Sequence, residues 1–171
     1  LDLAKQRGHG GVLEELGKAA HMRFAEVGGR LKPIVGLPGS AVLSITDGDI
    51  LISEGQSFNP FYPVSETFNA ISATYPEPGE KWTSKDAPEY IDTDAQAEDG
   101  QYLPTSLSYG AVPYARQVQR LMRSQMRDFR RMRRHQFHLP PDAYGLEPGI
   151  DLISWTSNRN GYINKLFMVE S

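Results

Sequence analysis

A chain of 171 residues with 39% hydrophobic and 23% charged positions has the length and composition of one globular domain, and its net charge is only −3. No apolar run approaches the roughly 20 residues that cross a bilayer, which argues against a transmembrane role. Cysteine is absent, so disulfides and thiolate zinc sites are excluded.

The opening LDLAKQRGHGG lacks the basic, apolar and small-residue order of a signal peptide, and the start at Leu1 rather than Met predicts a segment of a longer chain. Val12, Leu13, Leu16, Ala19 and Ala20 recur at helical spacing, with Glu14 and Glu15 in the first turn, which predicts a helix over about 11–24. Gly28 and Gly29 break it before a short strand near Leu31–Val35 and a Gly/Pro turn in GLPGS. In AVLSITDGDILIS the Asp47-Gly48 pair between apolar runs predicts a hairpin. SFNPFYP reads as a loop, and SETFNAISATYPEP alternates well enough for a strand, although Phe68, Ile71 and Tyr75 also fit a helix.

From Pro76 to Gly100 the composition predicts a long connection with PEYIDTD as its one strand. Pro113 then opens the longest predicted helix, because Ala115, Val118, Leu121, Met122, Met126, Phe129 and Met132 recur at threes and fours. Pro140 and Pro141 would stop it. The tail LEPGIDLISWTSNRNGYINKLFMVES reads as two or three strands with a turn in SNRNG. Helix, strands, helix, strands, without a βαβ rhythm, predicts an α+β fold around an antiparallel sheet.

Charge is strongly segregated. Between Pro33 and Ala115 the basic residues are Lys81 and Lys85, against a series of carboxylates that includes Asp86, Glu89, Asp92, Asp94, Glu98 and Asp99. The run RQVQRLMRSQMRDFRRMRRHQFH follows, with Arg116, Arg120, Arg123, Arg127, Arg130, Arg131, Arg133 and Arg134 around an apolar stripe. One reading is a core helix with a solvated cationic side. Another is a face that pairs with carboxylates or phosphates, because the planar guanidinium fork suits both. The acidic segment at 86–99, in the same chain or in a neighbouring copy, is the expected partner. A nucleic-acid module using helix 113–134 is the alternative, although no stacking aromatics interleave with the run.

Other candidates carry less. His135 and His138 lie three apart, but two ligands do not make a metal site, and His9 and His21 stand apart from them. Asp47-Gly48-Asp49 lacks the further ligands of a calcium loop, and Asp92-Thr93-Asp94 reads as an edge strand with outward carboxylates. GLPGS is not a nucleophile elbow, and no phosphate-cradling loop occurs. No nucleophile, metal set or acid–base pair stands out, so the expectation is a non-enzymatic protein without cofactor, with a cell-wall hydrolase as a further alternative.

The order of the pieces resembles a family. Trp82, Asp99-Gly100, the stretch VPYARQVQRLMRSQMRDFRRMRRHQFHL, LEPGIDLISW and the closing NGYINKLFMVES are similar to the phage tail proteins of siphophages and gene transfer agents. Those are tail-tip or hub proteins similar to the phage lambda tip attachment protein. The matching residues are Val112, Ala115, Gln119, Arg120 and Leu121, then Pro148, Gly149 and Asp151, and finally Gly161, Lys165, Phe167 and Val169, while Ile150 interrupts the family's usual P-G-D. Phe68–Trp82 adds a strand followed by a proline-containing loop.

The resemblance implies a virion component at the tail tip, made in the bacterial cytoplasm, that takes part in tail assembly and host attachment. It further implies a trimeric hub in contact with other copies of itself and other tail proteins, and a barrel-like tail-hub domain of α+β class with two main helices, one long and Arg-rich. The expected division is one domain over 1–171, with lobes of about 1–60 and 61–171 as the variant.

Overall fold

The computed structural model describes residues 9–35 and 39–170. In chain order these form α1 (His9–Ala20), β1 (Arg23–Val27), β2 (Arg30–Ile34), β3 (Leu43–Thr46), β4 (Ser57–Asn59), β5 (Ala70–Glu77), β6 (Thr83–Ile91) and α2 (Thr93–Asp99). They continue with β7 (Pro104–Ser108), α3 (Ala115–Phe129), β8 (Arg134–Gln136), β9 (Leu152–Ser157) and β10 (Tyr162–Met168). The class is α+β, with three helices among the described residues. Of the turn expected in GLPGS, residues 36–38 lie outside the described residues.

Two compact units emerge, each assembled from separate stretches: 1–22 with 60–133, and 23–59 with 134–171. In the first, β5 is the central strand, antiparallel to β6 and parallel to β7. Ile71, Ala73, Tyr75 and Ala87 from one side of that sheet meet Val118, Leu121, Met122 and Met126 of α3, with Tyr109 and Val112 closing the core. Full burial of each aliphatic side chain contributes about 1.5–3 kcal/mol, so this helix-on-sheet seam is the main source of the unit's stability.

α1 packs in the same unit. It ends at Ala20 rather than near Phe24 because His21 adopts a left-handed φ of 48° and the Met22 N–H donates back to the Gly17 carbonyl at 2.8 Å. The His21 ring lies 2.9 Å from the Asp128 carboxylate of α3. At the tip of the β5–β6 hairpin, Lys81 and Trp82 both take left-handed φ values, 57° and 65°.

The second unit holds a sheet of order β10-β9-β3 and two short ribbons, β1-β2 and β4-β8. Its core gathers Ile45, Ile50, Ile153, Trp155 and Tyr162. The hairpin turn expected in SNRNG is present, with β9 and β10 antiparallel across Gly161 at φ 66°.

Further expectations require correction, among them the long connection over 76–100 with PEYIDTD as its one strand, since β6 starts at Thr83 and α2 fills Thr93–Asp99. Asp47-Gly48 does not join a hairpin: Asp47–Asp49 is a single 3-10 turn, and β3 pairs in parallel with β9. A type I′ hairpin needs positive φ at both central residues, and neither Asp47 nor Gly48 has it. Instead Asp49 Oδ2 accepts from the Thr46 N–H and hydroxyl at 2.7 and 2.8 Å. Asp92-Thr93-Asp94 is a helix start rather than an edge strand, since the Asp92 side chain caps α2 by accepting from the Ala95 N–H at 3.1 Å.

The long helix stops at Phe129, well before Pro140: the Arg130 N–H donates back to the Met126 carbonyl and the Arg131 N–H to that of Asp128, and the chain then enters β8. Finally, the sheets are mixed, and among the described residues none closes into a barrel.

Candidate functional site

α3 begins where Pro113 and Tyr114 release the chain into helical geometry; Tyr114 is extended and provides no side-chain cap. Val118, Leu121, Met122 and Met126 are buried, so the helix is pinned along one side. Arg116, Arg120, Arg123 and Arg127 follow each other at steps of four, three and four, all are exposed, and none forms an ion pair among the described residues.

The remaining arginines lie beyond the helix, so the eight do not share one helical face. Arg130 follows directly on α3 and turns toward the acidic segment: Nη1 donates to Asp99 Oδ1 and Oδ2 at 3.1 and 2.8 Å, and Nη2 to Glu98 at 3.3 Å. Arg130 and Asp99 are both largely shielded, at 19% and 16% side-chain exposure, so this contact is a structural tie rather than a free surface. Arg131 pairs with Asp128 at 3.2 Å on the same helix end. Arg133 is exposed in the connection to β8, and Arg134 sits in β8 with Glu170 at 3.9 Å.

Among the acidic residues, Asp92 is used as a cap, Asp99 is tied to Arg130, and Glu89 accepts from the Tyr102 hydroxyl. Asp86 and Asp94 are exposed and carry no ion pair among the described residues.

A residue that sequence reasoning missed anchors this region. Asn69, fully buried, donates Nδ2 to Asp99 at 3.0 Å and to the Gln101 carbonyl at 2.8 Å, and accepts the Leu103 N–H at 2.8 Å. It holds the loop after α2 against β5 and, through Asp99, orients Arg130. The available signal was an amide inside the apolar stretch TFNAIS.

His135 and His138 do not converge on a metal. The His135 ring stacks on Phe58 at 4.2 Å and 11°, meets Trp155 edge-on at 4.8 Å and lies 3.0 Å from the Tyr162 hydroxyl, while the His138 carbonyl accepts from Leu51. Among the described residues no three His, Asp or Glu side chains gather around a metal-sized space. A cleft of about 280 Å³ beside His135 is lined by Gln56, Phe58, Trp155, Arg159 and Asn160, and the buried Trp155 Nε1 has no partner among the described residues. Nearby, the Ser157 hydroxyl and the Arg159 N–H hold the Asp47 carboxyl below its usual value.

The sequence profile of the family described as "Putative phage tail protein" matches residues 11–166. The chain belongs to this family. No curated relative matches this phage tail protein. Among solved structures it is similar in fold to a 43 kDa tail protein of prophage MuSo2 from Shewanella oneidensis, with a TM-score of 0.56 and 14% identity. The likeness covers 96% of this chain and 47% of that one, so the phage tail chain corresponds to about half of that neighbour.

Several motif residues of this phage tail protein have structural roles. Gly100, Gly149 and Gly161 all occupy left-handed φ, between 66° and 75°. Asp99 joins Asn69 to Arg130, and Asp151 Oδ2 accepts the Glu147 N–H at 2.8 Å to close the Pro-Gly-Ile-Asp turn. Ile150 is accommodated because its own N–H also bonds to the Glu147 carbonyl, at 3.2 Å.

Proposed function

We propose that this chain is a non-enzymatic building segment of a tail tip, part of a hub or baseplate that several copies form around the tail axis of a phage, prophage or gene transfer agent. The observation that carries the reading is the use made of the family's glycines and aspartates: Gly100, Gly149, Gly161, Asp99 and Asp151 close turns, cap elements or tie elements together. A pattern that encodes turn geometry and buried ties, without a convergent set of reactive side chains on those positions, suits a part selected for shape and assembly.

The wider fold likeness to a prophage tail protein supports the same reading. In such an assembly the copies surround the axis as a trimer and contact other tail proteins. Contribution to host attachment follows from a position at the distal end.

The test is localisation in particles. A peptide tag inserted at the exposed Gly55, in the full-length protein, is labelled with gold-conjugated antibody and imaged by electron microscopy. Label confined to the distal tail end supports the reading. Label along the tube or in the head, or normal tipped tails assembled without the protein, overturns it.

A further inference from the structure

The first unit is a two-layer plate with chemically different sides. On one side α3 turns its arginines outward. At 100° per residue, Arg116, Arg120, Arg123 and Arg127 fall within an arc of about 60° and extend about 17 Å along the axis, opposite the buried stripe. Like charges at these spacings destabilise a helix, and here they have no intrachain ion-pair partner among the described residues, so packing does not account for them.

On the other side lies the back of the sheet. Ile71, Ala73, Tyr75, Ala87 and Leu107 face α3, so the strand alternation sends Ser72, Thr74, Ser84, Asp86, Ser106 and Ser108 to the opposite face. Thr74 and Asp86 are direct cross-strand partners there, and Ser72 and Ser106 share a hydrogen bond at 2.9 Å. Hydroxyl and carboxylate oxygens accept from guanidinium groups, and no Lys or Arg stands among these six positions.

We propose that the arginine stripe of α3 docks on the hydroxyl-and-carboxylate face of the β6-β5-β7 sheet in a second copy of this protein. The two surfaces differ, so the contact is head-to-tail, the type that repeats around an axis and closes into a ring when the rotation permits. This names the copy-to-copy contact of the hub proposed above and rests on that reading. Charge complementarity selects the occupant. The stripe is flanked by Gln117, Gln119 and Ser124 without an aromatic platform for bases, and the chain carries a net charge of −3.

The experiment uses the full-length protein and follows self-association by sedimentation equilibrium. Arg120→Glu with Arg123→Glu weakens association by roughly a hundredfold or more, whereas unchanged circular dichroism reports an intact fold. Adding Asp86→Arg and Ser106→Arg to the same chain restores at least tenfold of the loss. Arg120→Gln with Arg123→Gln, a milder change, gives an intermediate weakening and covers the case in which the reversal fails to fold.

Association unaffected by both arginine variants, or a reversal that the sheet substitutions do not rescue, overturns the contact. So does wild-type binding to a short DNA duplex that both arginine variants abolish without altering association. A full-length protein that never self-associates, in solution or in particles, overturns the ring as well. One that associates regardless of the substitutions overturns the stripe alone.

Discussion

Replacing Asn69 by Ala removes the buried amide that joins three parts of the first unit. Three hydrogen bonds are lost, to Asp99, the Gln101 carbonyl and the Leu103 N–H. At about 1 kcal/mol net for each bond, with a further ~1 kcal/mol for leaving the part-buried Leu103 N–H without a partner, the loss comes to about 4 kcal/mol. In a chain of this size each kcal/mol shifts the melting temperature by about 2–4 °C, so a drop on the order of 12 °C is expected.

Equilibrium urea unfolding monitored by far-ultraviolet circular dichroism reads the energy, and differential scanning fluorimetry reads the temperature. Asn69→Asp keeps the acceptor for Leu103 but sets a second carboxylate against Asp99, so it too is destabilising. A loss under about 1 kcal/mol for Asn69→Ala would refute the claim that this residue organises the region.

Three further outcomes are expected. Gly149→Ala places a Cβ at 3.3 Å from that of Ala25 and forces a left-handed φ of 75° on an L residue, so it destabilises by about 1–2 kcal/mol, measured by urea unfolding. The Asp49 carboxyl is held below its ordinary value of 3.8, first by the Thr46 N–H and then by the Thr46 hydroxyl. A lowered folded pKa means stability that is present above the unfolded value and lost as pH falls through the folded one. Asp49→Asn therefore destabilises at pH 7, and its difference from wild type shrinks below pH 3.8, as thermal melts across pH will register. Tyr109 is pushed up by burial to about 12, so its contribution is complete below pH 10 and declines as pH rises toward 12. Tyr109→Phe flattens that alkaline loss, and ultraviolet difference titration shows one late-ionising phenol fewer.

Local chemistry was legible where it needed only neighbours in sequence. The apolar repeat from Ala115 to Phe129 specified α3 and its buried side, the alternation in β5 favoured a strand over the helix that also fitted, and SNRNG marked the β9–β10 hairpin. The family resemblance likewise rested on order and spacing, and its residues include turn glycines and tying carboxylates. What misled was identity read without partners. Asp47-Gly48 has hairpin composition, but β3 found its partner in β9, more than a hundred residues away. The arginine run looked continuous because charge persists across a change of backbone, whereas α3 ends at Phe129 and Arg134 already belongs to β8.

The sequence by itself determined the class, the family and the amphipathic character of α3, because each depends on composition and on short-range periodicity. Only the tertiary structure decided which arginines are engaged and which are open. Arg130 is engaged because Asn69, distant in sequence, fixes Asp99 beneath it. Arg116, Arg120, Arg123 and Arg127 stay open because the packing that buries Val118 and Met122 leaves them on the exposed side of the helix, where none forms an ion pair among the described residues. Pairing between distant charges is a property of the folded arrangement, and no local pattern encodes it.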